Sequence, residues 1–197
     1  MELQENLIHL CRRAHELGAY RSVAMLAEDV VVDDRVRLKC LVPRCEHYGK
    51  NLMCPPNLPT VDEFRKALSL YKIAILVQCR ITNIPMPEGK ELPMLAGDKP
   101  YRIAMAHSMR SMAEILSALE KDCLGMGYRF ALGLGGGACS YCAQCVGPGG
   151  ECRHPFKARP SIEAMGVDVV ATAAKAGVPI KFPATDDPVW TALLLID

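Results

Sequence analysis

Residues 135–155 read GGGACSYCAQCVGPGGECRHP and place Cys139, Cys142, Cys145 and Cys152 behind three consecutive glycines. Four thiols this close together serve either a metal or cluster nest or a disulfide knot. Composition argues against the knot. A chain of 197 residues, half of them hydrophobic, can build a core without cross-links. The N-terminal MELQENLIHLCRRAHELG carries acids and arginines where a leader would be apolar, so no signal peptide is expected. No apolar run reaches the roughly 18 residues that span a bilayer. The longest, IAILVQC (73–79) and TALLLI (191–196), have the length of buried strands. The expectation is a cytoplasmic protein, not a membrane one, whose clustered cysteines do metal or redox chemistry. With a formal net charge of +1 and no basic stripe, nucleic acid is not an expected partner.

Working outward, Arg129–Leu134 reads as a strand leading directly into the glycines. Before it, a long amphipathic helix is expected from Arg102 to Leu124, ended by Gly125 or Gly127. After the cysteines, PSIEAMGVDVVATAAKAG contains a helix capped by Ser161 or Asp168 and closed by Gly177. IKFP (180–183) and VWTALLLID are expected to finish the chain as two strands.

In the N-terminal half, Leu3, Leu7, Leu10, Ala14 and Leu17 recur at helical spacing before Gly18. Val30–Val32 is a short β-branched run, and Arg35–Cys40 suits a helical turn. Thr60 with Glu63 three residues on is a capping box opening a helix. Lys72–Arg80 suits a strand covered on both faces. The Pro/Gly-rich connection 82–100 has the character of a lid. Strands alternating with helices predict an α/β domain over residues 1–197, an open sheet covered by helices and bearing two cysteine-rich loops. A compact ferredoxin-like α+β arrangement is the second choice.

Cys139, Cys142 and Cys145 follow the C-x2-C-x2-C rhythm that turns successive thiolates onto one 4Fe–4S cubane. Structural zinc more often takes two separated C-x2-C pairs. Gly135, Gly136 and Gly137 would let the backbone approach the cluster and donate N–H groups to its sulfides. Cys40, Cys45 and Cys54 form a second, upstream set in a proline-locked loop. Seven cysteines are one short of two fully ligated cubanes. Cys152 belongs to the downstream set or crosses to the other cluster, and a single cluster with the upstream trio binding zinc or nothing is the plainer alternative. His47 and His154 are candidate extra ligands, or loop histidines with ordinary hydrogen bonds. Cys11, Cys79 and Cys123 fit helix and strand patterns as small core residues.

The elements RVRLKC-x4-C-x2-YGKN-x2-CPPN-x-PT, CSYC-x2-C and C-R-x-P-x-KARPSIEAMGVDV resemble a bacterial and archaeal family of predicted metal-binding proteins, a domain of unknown function common in anaerobes. The resemblance covers most of the chain. It implies iron–sulfur or metal binding through Cys40, Cys45, Cys54, Cys139, Cys142, Cys145 and Cys152, and implies no substrate.

The leading expectation is an iron–sulfur protein with one or two 4Fe–4S clusters that passes electrons to a redox partner protein in anaerobic metabolism. One alternative is an enzyme in which a three-cysteine cluster keeps an open iron as Lewis acid or sulfur acceptor. Another is a zinc-stabilised scaffold. Arg153, Lys157 and Arg159 are read as stabilising a reduced cluster, docking an acidic partner, or forming a solvated basic face.

Overall fold

The computed structural model describes residues 2–81, 99–180 and 188–197. The expected lid lies, but for its last two residues, outside them, and so does the IKFP strand beyond Ile180. Helix α1 (Glu2–Glu16) leads into strand β1 (Arg21–Leu26), then α2 (Asp34–Leu38) and α3 (Val61–Leu68). Strand β2 (Ile73–Arg80), α4 (Lys99–Gly125), β3 (Leu132–Leu134), α5 (Val169–Lys175) and β4 (Val189–Ile196) follow.

The four strands form one sheet in the order β1-β2-β4-β3, and every neighbouring pair is antiparallel. Strands β2 and β3 run the same way with β4 between them and α4 joining them, which is a split βαβ unit. With β1 added beside β2, this is the ferredoxin-like strand order entered at a different point in the chain. Of the two arrangements expected, the α+β one is therefore the closer description.

Alternation along the central strands sorts two cores, as a period of two demands. Ile73, Ile75, Val77, Ala192, Leu194 and Ile196 face α1 and α4, meeting Leu10, Met112, Leu116 and Leu119. Ala74, Leu76, Leu193 and Leu195 face the other way, onto Phe64, Leu68, Ile162, Met165 and Ala173. Helices thus cover both faces, and the near-continuous apolar sequences of β2 and β4 reflect that double burial. Cys79 and Cys123 lie inside the first core, and Cys11 packs against it.

Strand β1 was not anticipated. Its sequence RSVAML alternates weakly and contains helix formers, and it holds its place by pairing with β2 from Arg21↔Gln78 to Leu26↔Ile73. The Val30–Val32 run forms only an isolated bridge, Val32 with Val167. Of the two caps expected downstream, Asp168 is the one that caps α5, through the Val170 and Ala171 amides, while the Ser161 hydroxyl accepts from the Ala164 amide (3.0 Å) in the turn before it. Among the described residues no helix is long and apolar enough to cross a membrane.

The capping box of α3 is complete, with Thr60 Oγ1 accepting from the Glu63 amide (3.2 Å) and Glu63 Oε2 accepting from the Thr60 amide (2.7 Å). Thr60→Ala is expected to destabilise the protein by about 1 kcal/mol, read as a lower urea midpoint with an unchanged slope.

Candidate metal centre

The upstream loop starts where α2 ends. Asp33 caps that helix by accepting from the Arg35 amide (2.8 Å), and two residues beyond its end the chain reaches Cys40. From there it is wound by short-range backbone bonds: Cys45 N–H to Cys40 O (3.1 Å), Tyr48 N–H to Cys45 O (3.1 Å) and Cys54 N–H to Asn51 O (3.0 Å). Gly49 N–H reaches across to Pro55 O (2.8 Å) and closes the coil. Cys54 ends up buried, Cys40 half-buried and Cys45 exposed.

The downstream loop leaves β3 through the glycines and runs along α4. Ser140 Oγ donates to Ala106 O (3.1 Å), Arg110 donates to Ser140 O (2.7 Å), and Tyr141 donates to Glu114 (3.2 Å). Lys157 Nζ also pairs with Glu114 (3.0 Å). Arg159 and Glu120 form a largely buried ion pair, and Glu120 Oε1 accepts from the Gly133 amide as well (2.6 Å). These contacts give the basic residues structural partners. Lys157 and Arg159 fasten the loop to α4, and Arg153 donates within the loop to Gln144 O (3.1 Å).

All four downstream cysteines line one small cavity of about 20 Å³, together with Asn51, Leu52, Tyr141 and His154. Backbone amides point at sulfur, among them Leu52 N–H at Cys145 Sγ and His154 N–H at Cys152 Sγ, each at 3.4 Å. The Leu52 bond crosses from the upstream loop. So does Asn51, a buried side chain whose Nδ2 donates to Cys139 O (3.2 Å) while its Oδ1 accepts from the Met53 amide (2.9 Å). Asn57 in turn donates to Asn51 O (3.0 Å). The two cysteine loops form a single docked unit.

Thiol electrostatics report the same proximity. Burial first, then the neighbouring Cys45, Cys40, Cys139 and Cys145, push the Cys54 thiol up to about 12. Cys54 thus lies within the field of both sets. Cys139 is raised by burial and then by Cys152, Cys145 and Cys142, against a lowering hydrogen bond from the Tyr141 amide. Cys40 is raised by burial and by Cys45, with Arg37 opposing. Thiols that raise one another in this way become thiolates when a cation shares the site.

The donor set is soft, crowded and free of disulfides, which suits a thiolate-bound metal group. The thiols line the cavity but do not close a coordination sphere: among the described residues no three His, Cys, Asp or Glu side chains gather tightly enough to hold a metal ion. The cavity is closer in size to a single ion than to a cubane.

Gly135 N–H donates to Pro160 O (2.8 Å), and its carbonyl accepts from Ile162 (2.9 Å). A Cβ on Gly136 would stand 3.0 Å from the Trp190 ring, and one on Gly137, at φ +67°, 2.4 Å from Met109 Sδ. What these glycines demonstrably permit is close passage between α4 and β4. His154 stacks on Tyr141 at 5.4 Å on the cavity wall, whereas His47 is half-exposed beside Glu46. Residue-type patterns did not mark Asn51, Glu114, Glu120 or Tyr141. The usable signal was a second helical stripe on α4, Ala106, Met109 and Ala113, beside the core-facing one.

Over residues 4–196 the chain matches a family described as predicted metal-binding protein (DUF2284). No curated protein and no solved structure matches it.

Glu120→Ala strands the Arg159 guanidinium and the Gly133 amide together. The expected loss is about 3–5 kcal/mol, measured by denaturant unfolding. Glu120→Leu combined with Arg159→Met should recover most of it.

Proposed function

Because the chain belongs to this family of predicted metal-binding proteins, we propose that it is an iron–sulfur protein carrying one or two 4Fe–4S clusters and serving electron transfer. The observation that carries the reading is the convergence of Cys139, Cys142, Cys145 and Cys152 on one cavity, with backbone amides directed at two of the sulfurs. These four are the expected ligands of one cluster, and Cys40, Cys45 and Cys54 those of a second. A bound cluster would supply a one-electron couple. The protein's part is to hold the thiolates, to stabilise their charge by N–H donation, and to limit water. N–H···S bonds at Cys145 and Cys152 stabilise negative charge on sulfur, which raises a reduction potential. A redox partner protein would approach where Cys45 and Val42 are open to solvent.

A second reading, a zinc-stabilised scaffold, is favoured by the size of the cavity, which is closer to that of a single ion than to that of a cubane.

Anaerobically isolated protein is expected to contain iron and acid-labile sulfide in equal amounts, near about eight of each per chain for two cubanes. Stoichiometric zinc in their place overturns the cluster reading. Cys142→Ser should lose the downstream cluster, whereas Cys123→Ser, deep in the core, should keep the full iron content.

A further inference from the structure

Between Cys40 and Cys45 the chain makes a tight turn, closed at its base by the Cys45 N–H to Cys40 O bond (3.1 Å) and by a Leu41–Arg44 bridge. Leu41, Val42, Pro43 and Arg44 are therefore bracketed by two of the three upstream cysteines. The Leu38 carbonyl accepts from both the Leu41 and the Val42 amides (2.9 Å each), so the end of α2 belongs to the same turn. This turn presents aliphatic side chains to water. Val42 is 77% exposed, Leu38 55% and Leu41 41%, and every residue from Leu41 to Glu46 is exposed. A single exposed aliphatic residue is ordinary, but three in one turn form a patch of the kind that marks an interaction site.

Around the patch the charge is one-sided. Residues 35–50 carry Arg35, Arg37, Lys39, Arg44 and Lys50 against a single acid, Glu46, in a chain whose formal net charge is only +1. Arg35 is taken up by Asp33, and Arg37 donates to Pro59 O (2.8 Å). Lys39, Arg44 and Lys50 are exposed, with Arg44 lying over the Tyr48 ring at 5.0 Å. The cations beyond Cys152 differ, since Lys157 and Arg159 are paired with Glu114 and Glu120. An apolar centre inside a polar rim is the anatomy of a protein interface, and a rim of one sign steers a partner of the other.

We infer that the turn Leu38–Arg44, ringed by Lys39, Arg44 and Lys50, is the docking surface for a small acidic electron-carrier protein. This rests on the electron-transfer reading and gives the partner its chemistry and its seat. Three observations choose this occupant. A single exposed turn offers the small contact that transient electron-transfer pairs use. Cys45 is the one exposed cysteine of the ten, so a carrier seated on the turn lies beside the most accessible of the upstream thiols. The surplus of cations calls for an acidic face opposite. A second copy of this chain fits worse, because a two-fold contact would set the same cations against one another. Nucleic acid also fits worse, because its phosphates gain nothing from Leu38, Leu41 and Val42.

Binding is measured by isothermal titration calorimetry on the anaerobically isolated full chain. The probes are a purified flavodoxin and a purified acidic ferredoxin, with cytochrome c as the basic control. At least one acidic probe should bind at low ionic strength and bind about tenfold more weakly at physiological salt. Lys39→Glu combined with Arg44→Glu should weaken it by about tenfold, and so should Val42→Asp alone. Arg12→Glu combined with Lys121→Glu makes the same charge change on α1 and α4, across the sheet, and should leave binding within about twofold. All these positions are exposed, and circular dichroism confirms that each variant is folded. Failure of both acidic probes to bind, equal binding of cytochrome c, or variants of the turn that bind like wild type overturn the inference. Heparin bound through Lys39 and Arg44 with no response to Val42→Asp makes the turn a polyanion site, which overturns it as well. So does a dimer in analytical ultracentrifugation that Val42→Asp abolishes. Iron and sulfide counted on the same samples keep the two readings apart. Cluster-loaded protein that ignores the acidic probes sinks the docking surface alone, whereas cluster-free protein that binds them through the turn sinks the electron-transfer reading alone.

Discussion

The ion pair between Glu120 and Arg159 holds both ends of the downstream cysteine loop to one point on α4. Glu120 accepts from Gly133, two residues before the loop leaves β3, and from Arg159, immediately after the loop ends. A single carboxylate therefore closes a ring of some two dozen residues, and it does so where the side chains are only 12% and 14% exposed. In so dry a setting the charge pair is geometrically exacting, because neither partner has water to fall back on. The outer fastenings, Lys157 to Glu114 and Tyr141 to Glu114, are solvent-exposed and individually weak. They steer the loop along the helix, and the inner pair anchors it.

With that loop fixed, the upstream one docks onto it by polar contacts. Asn51 is the hinge of this arrangement, a buried amide that bonds to Cys139 on one side and to its own loop on the other. A buried amide must find all its partners or cost stability, so Asn51 specifies one mutual orientation of the loops. The Leu52 amide on Cys145 Sγ follows from that orientation. Cysteines far apart in sequence thereby come to share one electrostatic neighbourhood. The sheet and its two cores contribute rigidity, and the chemistry sits on ordered loops carried at its edge.

The two sets differ in character. The downstream four converge on an enclosed cavity with amides directed at sulfur. The upstream three run from a buried Cys54 to an exposed Cys45.

Much of this was legible in residue order because it depends on local physics. The C-x2-C-x2-C spacing, the Thr60 capping box, the Asp168 cap, the double-sided apolar strands and the core placement of Cys11, Cys79 and Cys123 are decided within a few residues of themselves. Strand direction, the pairing that makes β1 a strand, and the mutual docking of the cysteine loops are not. Lys157 and Arg159 look like part of a basic patch in sequence because their acidic partners lie about 40 residues away on α4. Gly136 and Gly137 look like a cluster cradle until the side chains of Met109 and Trp190 are brought against them. Those assignments depend on which surfaces are buried against which. Only the folded chain decides that, since burial is what makes a distant charge or side chain a neighbour.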